Sequence, residues 1–292
     1  MKVQQAVLDG FVGTARMVSA GGWTRGLWRV SALLARVLPQ ARAHRVSVPE
    51  VGDLVGDCGE SMCCGTILRA TLSGSEVSVL RRMLRPGDVV YDVGASYGLT
   101  TSLSSKLVGT DGRVVAFEPT ATALRLLATN AATRPNVEIV NVAIGARREA
   151  ATFYTAEKAD MSSLTARASE IPIRSEELVQ VWPLDQVVAE RGFPLPDFIK
   201  CDVEGAELHV FAGAVRVLGH GPTVLFEYSE VLARPHGYRL PELLDVLRRA
   251  LPGEPRVFRV AESGEMFESL DDRPGISNNY LVVPEKHVHR LG

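Results

Sequence analysis

Six carboxylates stand at the ends of apolar runs or just beyond them: Asp92, Glu118, Asp202, Glu204, Glu207 and Glu227. Asp92 follows Val89-Val90-Tyr91, and Glu118 closes Arg113-Val114-Val115-Ala116-Phe117. Asp202 follows Phe198-Ile199-Lys200-Cys201, and Glu227 follows Val224-Leu225-Phe226. Short apolar runs of this kind read as buried strands of a parallel sheet, whose ligands bind beyond the carboxyl ends. Acids gathered at one rim repel each other unless positive charge is bound among them. Two chemistries suit the set: holding a cationic ligand, and taking a proton from a substrate hydroxyl. Lys200 is placed to hold one of these carboxylates, although a charge at a strand end is the commoner role for a lysine.

The first of these runs leads into a tight turn, Gly94-Ala95-Ser96-Tyr97-Gly98, after which Leu99, Leu103 and Leu107 recur every fourth residue. Strand, turn and helix in that order are expected to expose backbone N–H groups at the helix start, with Gly94 and Gly98 letting a ligand approach the chain. Glu118 lies twenty residues beyond Gly98 at the end of the next strand, the place of an acid that binds the ribose hydroxyls of an adenosine cofactor. The glycine spacing does not fit G-x-G-x-x-G, and a carboxylate at Asp92 would repel a pyrophosphate. It would attract an ammonium. S-adenosylmethionine, with an ammonium, a sulfonium and no phosphate, therefore fits better than NAD. An NAD-dependent oxidoreductase remains an alternative, though no Tyr-x-x-x-Lys pair is evident. So does a non-catalytic subunit, against which the retention of Asp92, Glu118 and Asp202 speaks.

The elements that must position these residues can be read along the 292-residue chain, long enough for one large α/β domain and an appendage. In the first fifty residues Lys2 and six arginines stand against Asp9 and Glu50, a net +5 within a whole-chain charge of −2. Leu27, Val30, Leu34, Val37 and Leu38 follow helical spacing there, so residues 1–50 read as a basic amphipathic helical extension, able to pack on the domain or on a second copy. Residues 51–292 read as the cofactor-binding domain. Helices are expected near 75–84, after the glycine turn, around Leu124–Ala131, around Phe211–Leu218, and over Leu240–Leu251. Strands are expected at 137–144 and 151–154, at 256–260 and at 279–283. Residues 156–177, polar and mixed around Met161–Leu164, read as a loop or lid. Alternating strands and helices mean a mostly parallel sheet covered on both faces.

Composition excludes several classes. The small negative charge argues against nucleic acid as the main partner. Arg25, Arg29 and Arg36 interrupt the most apolar part of the start, so no membrane span or secretory segment is expected, and the chain reads as cytoplasmic. Four cysteines, Cys58, Cys63, Cys64 and Cys201, make no paired C-x-x-C motifs and read as free thiols of a reduced protein. No metal is expected, though a divalent ion could neutralise the acids.

One run carries a specific resemblance. Asp197-Phe198-Ile199-Lys200-Cys201-Asp202-Val203-Glu204-Gly205-Ala206-Glu207 resembles the D-x-I-K-x-D-V-E-G-x-E hallmark of the FkbM family of S-adenosylmethionine-dependent O-methyltransferases. Pro86-Gly87-Asp88 through Asp92-Val93-Gly94-Ala95, Phe117-Glu118-Pro119, Val142-Ala143-Ile144-Gly145 and Asn278-Asn279-Tyr280-Leu281 are similar to further motifs of that family. The turn departs from it in reading Ala95-Ser96-Tyr97. The resemblance spans about residues 86–283. It implies a class I methyltransferase fold, Rossmann-like, with a seven-stranded sheet whose last strand is antiparallel. It also implies methyl transfer to a hydroxyl of a small molecule: a polyketide, a sugar or another secondary metabolite. On this reading Asp92, Gly94, Ala95, Tyr97, Gly98, Glu118, Pro119, Ala143 and Asp202 surround the cofactor. Asp202 or Glu204 is the first choice as base or orienter, and Glu227 the second.

Overall fold

The computed structural model describes residues 44–56, 72, 74–156, 173–268 and 278–292. The helices expected within residues 1–43, Cys58, Cys63 and Cys64, and the Met161–Leu164 segment lie outside the described residues.

The centre is an eight-stranded sheet built from β3 (Val89–Val93), β4 (Arg113–Phe117), β5 (Val137–Val140), β9 (Phe198–Cys201), β10 (Thr223–Tyr228), β11 (Arg256–Val260), β12 (Met266–Phe267) and β13 (Asn278–Val283). In space the order is β12-β11-β13-β10-β9-β3-β4-β5. The pairs β3–β4, β3–β9, β4–β5 and β9–β10 are parallel, whereas β13 runs antiparallel to both β10 and β11. The last strand is thus antiparallel, as expected. The eighth strand is β12, a two-residue addition at the β11 edge.

Side-chain alternation divides the core into two layers. Tyr91, Val93, Ile199, Cys201, Phe226 and Tyr280 face α4 (Leu184–Arg191), α5 (Glu207–Ala212), α6 (Val215–Gly219), α7 (Glu230–Ala233) and α8 (Leu240–Ala250). Val90, Val114, Phe198, Leu225 and Leu281 face α1 (Ser75–Met83), α2 (Leu99–Val108) and a hairpin of β1 (His44–Val48) and β2 (Gly52–Gly56). α3 (Ala121–Ala131) joins this second layer, with Leu127 packed on Ala95 and Ala116. The α8 stripe is Leu240, Leu243, Leu244 and Leu247, as its spacing predicts.

Four elements differ from the sequence reading. Residues 44–48, assigned to the helical extension, form β1, whose Val46 and Val48 are buried in the sheet core. The strand expected at 137–144 breaks after Val140. Asn141 donates through Nδ2 to the carbonyls of Glu118 (3.1 Å) and Pro119 (2.9 Å), and Ala143-Ile144 (β6) leaves for a second sheet. Residues 173–177, read as loop, begin β8 (Ile173–Trp182), which pairs antiparallel with β7 (Glu149–Ala156). Their polarity suits a two-stranded ribbon wetted by solvent as well as it suits a loop. The helix expected around Phe211–Leu218 is broken into α5 and α6 at Gly213, and Val215, placed on its buried stripe, is exposed.

Candidate active site

Strand register sets the site. Asp92 on β3 pairs with Lys200 on β9, and Glu227 on β10 pairs with Asn279 on β13. Asp92 shares a face with Val90, Lys200 with Phe198, Glu227 with Leu225 and Asn279 with Leu281, so the four polar side chains emerge on the α1 side at the carboxyl rim. Asp202, two residues past Lys200, keeps that side.

Lys200 is the hub. Its side chain is 5% exposed, and Nζ donates to the Gly94 carbonyl at 3.2 Å. The same Nζ lies 3.6 Å from Asp92 Oδ1 and 3.5 Å from Asp202 Oδ2. Burial by itself would lower the proton affinity of this ammonium, but Asp202, Glu76 and Asp92 outweigh it and hold the pKa well above the usual lysine value. Asp92, 1% exposed, accepts from the Thr100 hydroxyl at 2.9 Å and the Thr101 hydroxyl at 2.6 Å through Oδ2. It stands behind Lys200 and ties down the first turn of α2.

In front of Lys200 three acids converge. One carboxylate oxygen from each of Asp202, Glu204 and Glu227 lies within 4.8 Å of the other two. Three carboxylates at this spacing can share protons or bridge a cation. Glu204 reaches the group through a left-handed backbone, φ 58°, which a non-glycine residue adopts only under constraint from its surroundings. The Glu227 pKa is pushed up to about 8 by burial first, then by Asp202, Glu76 and Glu207. Glu76, in the first turn of α1, rises to about 7, chiefly through burial and against the pull of Lys200. Asn279 Nδ2 donates to Ser75 Oγ at 2.8 Å, pinning the start of α1 over the rim. Glu76 is the member that sequence reasoning missed. An acid in the first turn of a helix ordinarily answers the helix dipole, and nothing in the spacing marked it otherwise.

Glu207, grouped with the others by sequence, goes to the opposite face. It is buried, and its Oε1 accepts from the Val203 and Gly205 N–H groups, both at 3.1 Å. The Tyr238 hydroxyl lies 2.9 Å from both Glu207 Oε2 and the Gly205 carbonyl, and its one proton cannot serve both. A protonated Glu207 resolves the count by donating to the Tyr238 oxygen while Tyr238 donates to Gly205. Burial pushes the Glu207 pKa up to about 7, in agreement. Glu207 thereby holds the 203–205 loop that carries Glu204.

The glycine turn also differs from expectation. The Gly94 and Ala95 N–H groups both donate to the Phe117 carbonyl, at 3.1 and 3.0 Å, and Ser96 N–H donates to Glu118 Oε2 at 2.9 Å. These three N–H groups serve the neighbouring strand and the acid that closes it. A side chain at Gly94, which has φ 79°, would place its Cβ 1.9 Å from the Asp202 carbonyl oxygen. The missing side chain admits β9, so the two rim acids Asp92 and Asp202 can sit together. Glu118, buried, also accepts from Thr120 N–H at 2.9 Å and the Thr120 hydroxyl at 2.6 Å through Oε1. Its pKa is raised by burial, with the Thr120 and Ser96 bonds opposing. Ala95 and Gly98 pack against α3, Ala143 packs with Val179 and Val181, and Tyr97 and Pro119 remain partly exposed.

These proton affinities carry a stability consequence. Glu76, Glu207 and Glu227 hold protons to about 7, 7 and 8 in the fold, yet ionise near 4.5 when unfolded. The folded state therefore binds more protons across that window, and their contribution is lost as pH rises through it. The ligand-free protein should melt about 5 °C or more lower at pH 8.5 than at pH 5.5. Glu207→Gln, which mimics the protonated form, should shrink that difference. A melting temperature that rises between these pH values would contradict the assignment.

The site fits a cationic ligand. Asp202 Oδ1 is buried with no hydrogen-bond partner among the described residues, an acceptor left for a donor from outside. Acids outnumber the single lysine, which suits an ammonium and a sulfonium and opposes a pyrophosphate.

Residues 92–251, more than half of the chain, match the family model described as "Methyltransferase FkbM domain". The chain is 33% identical over 165 residues to the 31-O-demethyl-FK506 methyltransferase FkbM of Streptomyces tacrolimicus, covering 44% of this chain and 60% of that protein. The chain thus spans about 60% of the length of this curated relative. Among solved structures it is similar to a SAM-dependent methyltransferase from Aquifex aeolicus (17% identity, TM-score 0.40, 72% of this chain and 89% of that one). It is also similar to precorrin-6y C5,15-methyltransferase from Geobacter metallireducens (13% identity, TM-score 0.41, 72% and 86%). The family match sets aside the nicotinamide oxidoreductase. The chain belongs to the FkbM family of methyltransferases.

Proposed function

We propose that the enzyme transfers a methyl group to a hydroxyl of a small molecule. The observation that carries this reading is the convergence of Asp202, Glu204 and Glu227 within 4.8 Å at the rim, with Glu227 poised to exchange a proton near pH 8. When bound, S-adenosylmethionine supplies an electrophilic methyl carbon on a positive sulfur, which keeps the electron pair of the broken bond. Alcohols are weak nucleophiles until the proton is shared with a base. Glu227 takes that proton as the oxygen–carbon bond forms, while Glu204 aligns the hydroxyl and Asp202 holds the positive end of the cofactor. Lys200, 3.5 Å from Asp202, holds that carboxylate at the rim. Positioning the oxygen in line with the breaking bond provides much of the acceleration. The name of the Streptomyces relative, a 31-O-demethyl-FK506 methyltransferase, supports transfer to oxygen, and the lack of a membrane-crossing helix among the described residues is consistent with a dissolved acceptor.

Tyr97, Glu118 and Asp202 are the proposed cofactor contacts, with Asp92 and Gly94 positioning Asp202 through Lys200 and the close-packed turn. Three hydrogen bonds already reach Glu118, and its two oxygens have capacity for a fourth, from a ribose hydroxyl. Glu118→Ala should weaken S-adenosylmethionine binding by about 1–3 kcal/mol in titration calorimetry. Unchanged affinity would remove Glu118 from the site. The reading as a whole is tested by incubating the protein with labelled S-adenosylmethionine and a panel of polyketides, sugars and amines. Label recovered only on nitrogen would overturn it.

A further inference from the structure

The inner face of α3 grips the glycine turn from below. Leu127 fills the space under Gly98, where an added Cβ would lie 2.6 Å from its Cδ1 atom. Three residues on, and so on the same face, Asn130 is 2% exposed. Its Nδ2 donates to the Tyr97 carbonyl at 2.7 Å and to the Val55 carbonyl at 2.9 Å, and its Oδ1 accepts from Val55 N–H at 2.6 Å. Val55 belongs to β2 of the N-terminal hairpin, which lies outside the 92–251 stretch that matches the family. The amide pairs with the Val55 peptide as a neighbouring strand would, and its second N–H is left for Tyr97. Arg134 Nη2 secures the same hairpin by donating to the Val51 carbonyl at 2.6 Å. Val46, Val48 and Leu54 of the hairpin share a core with Tyr97 and Leu99.

We infer that Asn130 is a positioning residue that couples the β1–β2 hairpin to the Tyr97 turn, so that the hairpin forms part of the cofactor site. The inference rests on the reading that residues 94–98 border the cofactor. An asparagine amide can supply one acceptor and two donors to these three backbone atoms, whereas aspartate, of almost the same shape, sets bare oxygens against two carbonyls. Coupling is reciprocal: if the hairpin orders the turn for the cofactor, the cofactor must in turn stabilise the hairpin.

The test is hydrogen–deuterium exchange on the 292-residue wild-type chain with and without S-adenosylmethionine, followed by calorimetry on variants. Binding should slow exchange at residues 94–98 and also at 52–56. Asn130→Asp should bind S-adenosylmethionine about 10-fold more weakly at a temperature well below its melting point, the effect of losing two buried donations. Leu247→Ala, a core truncation on the opposite face, should lower the melting temperature yet leave affinity within about 2-fold, which separates positioning from general loss of stability. Protection at 94–98 without any at 52–56 overturns the inference even if no Asn130 variant folds, and so does wild-type affinity in a folded Asn130→Asp. Absence of protection at both segments, in protein that binds the cofactor by calorimetry, removes the underlying reading of the turn as well.

Discussion

Lys200→Met should destabilise the fold by about 3–5 kcal/mol, the loss expected when one partner of a buried ion pair is removed and the other is left charged. Asp92 is 1% exposed and Lys200 is its cation, with Asp202 sharing the same ammonium. Methionine keeps the length and apolar stem of lysine, so the loss comes from charge and not from a cavity. The carbonyl of Gly94 loses its donor in the same step. The stranded carboxylates can escape only by taking up protons, so the deficit should be smallest at low pH and grow as pH rises. The double variant Lys200→Met/Asp92→Asn, which removes charge from both sides, should regain part of the loss. Chemical denaturation at pH 5.5 and pH 8 measures this directly. A single variant as stable as wild type at pH 8 would show that the lysine is an ordinary strand-end charge. Cofactor affinity should fall together with stability, because Asp202 and the Gly94 turn are both held by this one group.

Glu227→Gln should lower kcat about 10²-fold or more while leaving the affinity for S-adenosylmethionine nearly unchanged. The glutamine keeps the shape and cannot accept a proton. Because the Glu227 pKa lies near 8 in the ligand-free protein, only roughly a tenth of it is ionised at pH 7. A base works in its ionised form, so the wild-type rate should climb with pH up to about this value, and the variant should lack that limb. Positive charge bound beside Glu227 would shift the limb toward lower pH. Asp202→Asn and Glu204→Gln should also lower turnover, with Asp202→Asn alone weakening the cofactor. The same three acids could instead hold a divalent cation, a second reading that the 4.8 Å convergence supports. A chelator would then abolish wild-type activity and added magnesium would restore it, whereas a proton-transfer site would ignore both. Full turnover by all three variants on a working acceptor would leave positioning alone to carry the reaction.

Much of this was legible in the sequence. Strand, glycine turn, helix and an acid twenty residues on define the cofactor half of a doubly wound sheet, because apolar runs and turns are local properties. The Lys200–Glu207 run identified the family, and alternation along β9 put Lys200 and Asp202 on one side. What the sequence could not decide is which distant residues meet. Glu76 reaches the rim because α1 is pinned beside the carboxyl end of β10 and the amino end of β13, a contact set by the whole sheet. Glu207 leaves the acid cluster for the far face because the chain passes through left-handed backbone at Glu204 and Gly205, which breaks the strand's alternation. The side chains absent at Gly94 and Gly98 make room for Asp202 and Leu127, a close packing that the glycine spacing alone did not show. Local pattern determined the elements and the chemistry on offer. The pairing of elements far apart in the chain decided which carboxylates share a lysine, and which are buried deeply enough to hold a proton near neutral pH.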